Sequence, residues 1–173
     1  MGTIRREGLI ESRNPQRLNV WCSPMILDAQ WIVGFVDGEG CFFVGVNPHS
    51  EMTTGVQILP EMTIVQHRRD IQVLYALKEY FQCGVVRVNH GDRMCYRVRG
   101  FENLLLKVVP FFEVHSLKTK KQVDFQKFRD VLLMMGKGEH LTKDGVEKIK
   151  SIASSMNRGG AKIKSVTSGN VGG

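Results

Sequence analysis

The chain has 173 residues, 42% of them apolar, which is enough for one ordinary globular core, and 24 Lys and Arg against 17 Asp and Glu leave a net charge of +7. That balance favours a polyanionic partner, nucleic acid ahead of a membrane surface. No apolar run approaches the roughly 20 residues that span a bilayer, no secretory h-region opens the chain, and the four cysteines and five histidines show no zinc spacing, so the expectation is an intracellular, reduced protein without a membrane or small-molecule cofactor.

Residues 1–23 are polar, carry Pro15 and hold no sustained period, and they read as an irregular arm. A domain is expected over 24–156. Asp28 stands as a capping residue before the largely apolar stretch Ala29–Gly40, which predicts a helix closed by glycine. Aromatic and β-branched residues from Cys41 to Val46, then Asn47-Pro48, then Val56 to Gln66 predict a hairpin with a long loop. Ile71, Leu74, Tyr75, Leu77 and Phe81 recur at helical spacing within Arg69–Phe81. Val85–Asn89 and Arg93–Arg99 alternate around the turn residues His90-Gly91-Asp92 and predict a second hairpin. Helical patterns follow over Phe101–Val109, closed by Pro110, over Thr119–Met135, closed by Gly136 and Gly138, and from Thr142 as a cap to Met156. Residues 157–173 are basic and glycine-rich with little to pack, and read as a flexible tail. Helix plus hairpin, twice over, predicts an α+β domain with helices on one face of an antiparallel sheet and the other face open.

Strand parity says what that open face carries. In the second hairpin Val86, Val88, Met94, Tyr96 and Val98 point one way, and Arg87, Asn89, Arg93, Arg97 and Arg99 the other. On the second strand Gln57, Leu59, Glu61 and Thr63 share one parity and mix donors, acceptors and an apolar group. A two-stranded ribbon fits the DNA major groove, where Arg bonds guanine and Asn or Gln reads adenine. A polar outer face is also ordinary for a half-buried sheet. Arginine bias with no acid in the hairpin except Asp92 favours DNA. Lys118, Lys120 and Lys121 form a second basic cluster at a predicted helix start, against the helix dipole, which a phosphate partner would relieve.

Within the first helix, Gly34 and Gly38 stand four apart on one face, and interior glycine costs about 1 kcal/mol against alanine. Close pairing with another helix is a reason to carry them. Asp37 and Glu39 sit at the C-terminal end, where the dipole disfavours negative charge, so a cation or a partner-helix donor is expected beside them. The segment Ile32-Val33-Gly34-Phe35-Val36-Asp37-Gly38-Glu39-Gly40 resembles the LAGLIDADG motif of homing endonucleases. The likeness extends over about residues 24–156 through the element order, Gln66 at the close of the second strand, and Leu117-Lys118-Thr119-Lys120-Lys121 before a helix.

The resemblance implies the αββαββα LAGLIDADG fold with a saddle-shaped antiparallel sheet on DNA. It implies that the motif helix packs against its copy, that Asp37 helps cap the partner helix, and that Glu39 binds a divalent metal, Mg²⁺ with other divalent cations able to substitute. Gln66 would orient water, and Lys118 or Lys120 would stabilise charge, with neither singled out. Val33 replaces the family's usual small alanine, and Glu39 an aspartate found in many members. Only one motif is present, so a C2 homodimer is expected, cutting both strands of a long pseudo-palindromic double-stranded DNA target to leave short 3′ overhangs. Intron and organelle encoding follow from the same resemblance. Rival readings on the same fold are an RNA maturase and a non-catalytic DNA-binding regulator.

Overall fold

Asp28 starts the first helix: its Oδ1 accepts the backbone N–H groups of Gln30 at 2.7 Å and Trp31 at 3.2 Å, satisfying donors that a helix start leaves open. The computed structural model describes residues 25–157, so the arm expected over 1–23 and the tail beyond 157 lie outside the described residues. Helix α1 (Ala29–Glu39) ends at Gly40, whose extended backbone turns the chain straight into β1 (Gly40–Pro48), and β2 (Val56–His67) returns antiparallel with Gly40 opposite Ile64. A 3-10 turn at Arg68–Asp70 leads into α2 (Ile71–Phe81), which stops where Gln82 and Gly84 take positive φ. The second hairpin, β3 (Val85–His90) and β4 (Arg93–Val98), turns at Gly91 with φ 53°. Strand β4 pairs with β2, giving one four-stranded antiparallel sheet in the order β1-β2-β4-β3.

Alternation decides which face the helices cover. Phe42 and Val44 on β1, Met62 and Ile64 on β2, and Met94, Tyr96 and Val98 on β4 are buried together with Ile32, Val33 and Val36 of α1 and Leu74, Leu77 and Phe81 of α2 in one core. The ring of Phe42 stands 5.4 Å from those of Phe112, Phe125 and Phe128, tying β1 to the C-terminal helices. Those are α3 (Phe101–Asn103), α4 (Val109–Val114), α5 (Lys121–Gly136) and α6 (Lys143–Ser154), the last capped by Thr142 at the Gly145 N–H.

One expected stop is absent. Pro110 does not close a helix at Val109; the chain passes through a π turn at Leu104–Val108 and continues as α4, with Pro110 near its start. In the π turn the Val109 N–H reaches back five residues to the Leu104 carbonyl. The widened ladder gives the proline ring room that a regular one lacks, and the missing N–H falls where no regular bond is due.

Candidate nucleic-acid interface and the carboxylate end of the first helix

One side of α1 lies in the core and the other is bare. Gly34 and Gly38 are exposed, and a Cβ added to either would meet no atom within 4 Å. On the same helix Trp31, 44% exposed, stacks on Phe35 at 4.8 Å. Glu39 closes the helix exposed, and among the described residues no hydrogen bond or ion pair engages its carboxylate.

Asp37 behaves differently. Its Oδ2 accepts the Lys118 N–H at 2.6 Å, and its Oδ1 accepts the Thr119 N–H at 3.3 Å and the Thr119 hydroxyl at 2.7 Å. Both oxygens are therefore engaged inside the chain, with the orphan N–H groups that precede α5 as donors. The cation expected at this helix end is Lys121, whose Nζ donates to the Val36 carbonyl at 2.9 Å and so answers the dipole. Burial lowers its pKa, and the neighbouring Cys41, Asp37 and Glu39 pull it back up. The lysine segment is thereby divided, since Lys121 turns inward while the side chains of Lys118 and Lys120 stay exposed.

Gln66 has the parity of Ile64, on the helix side of the sheet, and lies opposite Met94. Because Gly40, next to Glu39, pairs with Ile64, Gln66 sits two residues along β2 from where α1 meets the sheet. Glu39, Gln66 and the 118–121 segment are thus gathered at one end of the sheet, the last of them through Asp37.

The outer face carries the remaining predicted residues. Thr63 lies opposite Arg97, Arg87 opposite Cys95, and Gln57 opposite Asn47. Asn89 falls in a β-bulge between Val88 and His90 and has no ladder partner, and Arg99 lies just past the end of β4. Arg87 and Arg93 are exposed. The arginine face is not free of acid. Glu61, 14% exposed, takes the Arg99 Nε at 2.6 Å and stands 3.6 Å from the Arg97 Nε. The hairpin alone shows no such acid, because it arrives from β2 across the sheet. Parity carried onto β1 would also have found Phe43, 43% exposed and opposite Glu61.

A metal has a limited donor set in this chain. Among the described residues no three His, Cys, Asp or Glu side chains converge on a point. An exposed, unengaged Glu39 nonetheless fits a hard cation that keeps most of its waters and takes its other oxygens from outside the chain.

The family model described as LAGLIDADG endonuclease matches residues 32–132. The chain is 28% identical over 127 residues to "Probable intron-encoded endonuclease 2" of Neurospora crassa, covering 73% of this chain and 26% of that protein. It is 33% identical over 121 residues to "Probable intron-encoded DNA endonuclease 1" of Mycosarcoma maydis, covering 70% and 41%. The chain thus spans about a quarter to two fifths of the length of these curated relatives. Among solved structures it is similar to a homing endonuclease, I-TnaI, with TM-score 0.76 and 62% identity over 79% of this chain and 92% of that one. It is also similar to the I-SmaMI LAGLIDADG homing endonuclease bound to cleaved DNA, with TM-score 0.76 and 35% identity over 79% of this chain and 46% of that one.

Proposed function

The chain belongs to the LAGLIDADG endonuclease family, and from that premise we propose that it is a site-specific homing endonuclease hydrolysing both strands of double-stranded DNA as a homodimer. The observation that carries this reading is Glu39, exposed and unengaged at the end of a helix whose glycine face is bare. Two copies of α1 meeting through Gly34 and Gly38 would bring two Glu39 carboxylates together, one per scissile phosphate. The two sheets would then lie in successive major grooves of a pseudo-palindromic site, cutting across the intervening minor groove to leave short 3′ overhangs. A relative of known structure bound to cleaved DNA supports the partner.

Glu39 would hold the divalent ion together with phosphate oxygens and waters. When bound, that ion, Mg²⁺ or another divalent cation, supplies Lewis-acid stabilisation of the charge on the phosphate. Gln66 would orient the attacking water, and the ammonium of Lys118 or Lys120 would stabilise negative charge on the phosphate. Asp37 and Lys121 hold the lysine segment against the helix end, so these groups act from one rigid support. Residues 24–156 would form the catalytic domain, with the arm 1–23 and the tail 157–173 outside it. Among the described residues no helix is long and apolar enough to cross a membrane. The names of relatives, one of them in an ND4 intron, support expression from an intron of an organelle genome.

The test is cleavage of DNA sites that the protein itself selects from a randomised pool, with and without Mg²⁺, beside Glu39→Gln. The expected result is double-strand cutting by the wild type with metal, and binding without cutting by the variant. Selected sites that are bound tightly and never cut would sink the nuclease reading in favour of a DNA-binding regulator.

A further inference from the structure

Glu61 is an acid on a face that should meet a polyanion, where its charge alone would weaken binding. Its contacts give it another role. We propose that Glu61 is a positioning residue that holds Arg97 and Arg99 in place to read a guanine-bearing base pair, an inference that rests on the DNA reading above.

Arg97 and Arg99 line a hollow of about 320 Å³ together with Gly84, Val85 and Asn103. Glu61 approaches both through Nε, at 2.6 Å for Arg99 and 3.6 Å for Arg97, and is itself largely covered. Contact through Nε leaves the outer Nη edge of each guanidinium, the fork that pairs with guanine O6 and N7. Long arginine side chains lose rotamer freedom on binding, and a carboxylate that orders them beforehand removes part of that cost. One carboxylate does not satisfy two arginines, since the Arg97 Nε is buried without a hydrogen-bond partner among the described residues. Glu61 therefore orders Arg99 by a hydrogen bond and Arg97 by charge across 3.6 Å.

The experiment is selection from a randomised DNA pool by the wild type, Glu61→Gln, Glu61→Asp, Arg97→Ala and Arg99→Ala, with thermal melting as a check on folding. Arg97→Ala and Arg99→Ala are expected to lose a guanine preference at one or two adjacent positions. Glu61→Gln is expected to lose that same preference by about tenfold while binding random-sequence DNA more tightly, because one anionic charge has gone. Glu61→Asp, which keeps the charge one methylene further back, is expected to recover part of it, and it carries the same comparison if Glu61→Gln fails to fold. A folded Glu61 variant with the wild-type base profile, or with affinity shifted equally for every sequence, overturns the inference alone. A wild type that enriches no sequence overturns the DNA reading and this inference with it.

Discussion

The Asp37 carboxylate accepts the Thr119 hydroxyl at 2.7 Å across 82 residues of sequence. With the Lys118 and Thr119 N–H groups on the same carboxylate, it fastens the end of α1 to the start of α5. Hydrogen bonds to a charged group contribute about 1.5–3 kcal/mol each when a partner is removed, with partial exposure drawing the sum toward the low end. Asp37→Ala should therefore lower the unfolding free energy by about 2–3 kcal/mol, and Thr119→Val by about 1 kcal/mol. On the proposed function, Asp37→Ala should also depress kcat far more than it weakens DNA binding. Denaturant unfolding and single-turnover cleavage check the two parts, and a kcat unchanged in a folded Asp37→Ala protein would detach this clamp from catalysis.

Gly34 and Gly38 offer a substitution that separates fold from assembly. A Cβ added at either position would meet nothing within 4 Å, and replacing an interior helical glycine by leucine gains up to about 1 kcal/mol of helix propensity. Gly34→Leu should leave the single chain as stable as before or slightly more so, yet drive the proposed dimer to monomer. Sedimentation beside thermal melting reads both. A Gly34→Leu protein that stays dimeric would move the interface away from α1.

Gly84 is held for a backbone reason. Its φ is +78°, and an added Cβ would lie 2.7 Å from both the Arg97 carbonyl and the Tyr96 ring. A left-handed backbone costs a non-glycine residue about 1–2 kcal/mol, and the overlap with β4 adds a similar amount, so Gly84→Ala should destabilise by about 3 kcal/mol. Denaturant titration would show it as a lower midpoint, and a midpoint equal to wild type would mean that the α2–β3 turn is not held against β4.

Alkali should unfold this protein early. Burial raises the pKa of Cys41, Cys83 and Cys95 above the usual 9.0 and that of Tyr96 above the usual 10.0. Groups whose folded pKa is raised contribute stability that is present below the unfolded value and lost as pH climbs toward the folded one. Lys121 works in the opposite sense, because burial lowers it from 10.5 and the cost of its buried charge fades as pH rises. Four groups against one predict a net loss of stability above about pH 9. Tyr96→Phe should flatten that slope and cost about 1 kcal/mol near neutrality, since its hydroxyl donates to the Cys83 carbonyl at 3.1 Å. Urea unfolding at about pH 8 and about pH 10.5 measures the slope, and equal stability at the two would refute the assignment.

What could be read in advance was local. The Asp28 cap and the alternation of both hairpins are each decided within about ten residues, and the structure agrees with them. Pro110 misled because the rule that proline ends a helix assumes a regular ladder, and the π turn before it is not marked by any residue type. The Glu61–Arg99 pair and the Asp37–Thr119 bond were out of reach, because the first needs β2 to neighbour β4 and the second needs α1 to meet the start of α5. Lys121 stood in a cluster noticed for its charge, and only its burial separates it from Lys118 and Lys120.

The sheet has two faces with almost separate duties, one buried under helices and one carrying Gln57, Thr63, Arg87 and Arg93 toward solvent. A substitution on the outer parity removes no core contact, so such changes usually stay within about half a kcal/mol of neutral. New recognition can therefore accumulate one residue at a time without passing through an unfolded intermediate sequence. On the proposed function, the chain can drift in what it reads while standing still in how it folds, and Glu61 with its two arginines would be the place on that face where drift must move more than one residue together.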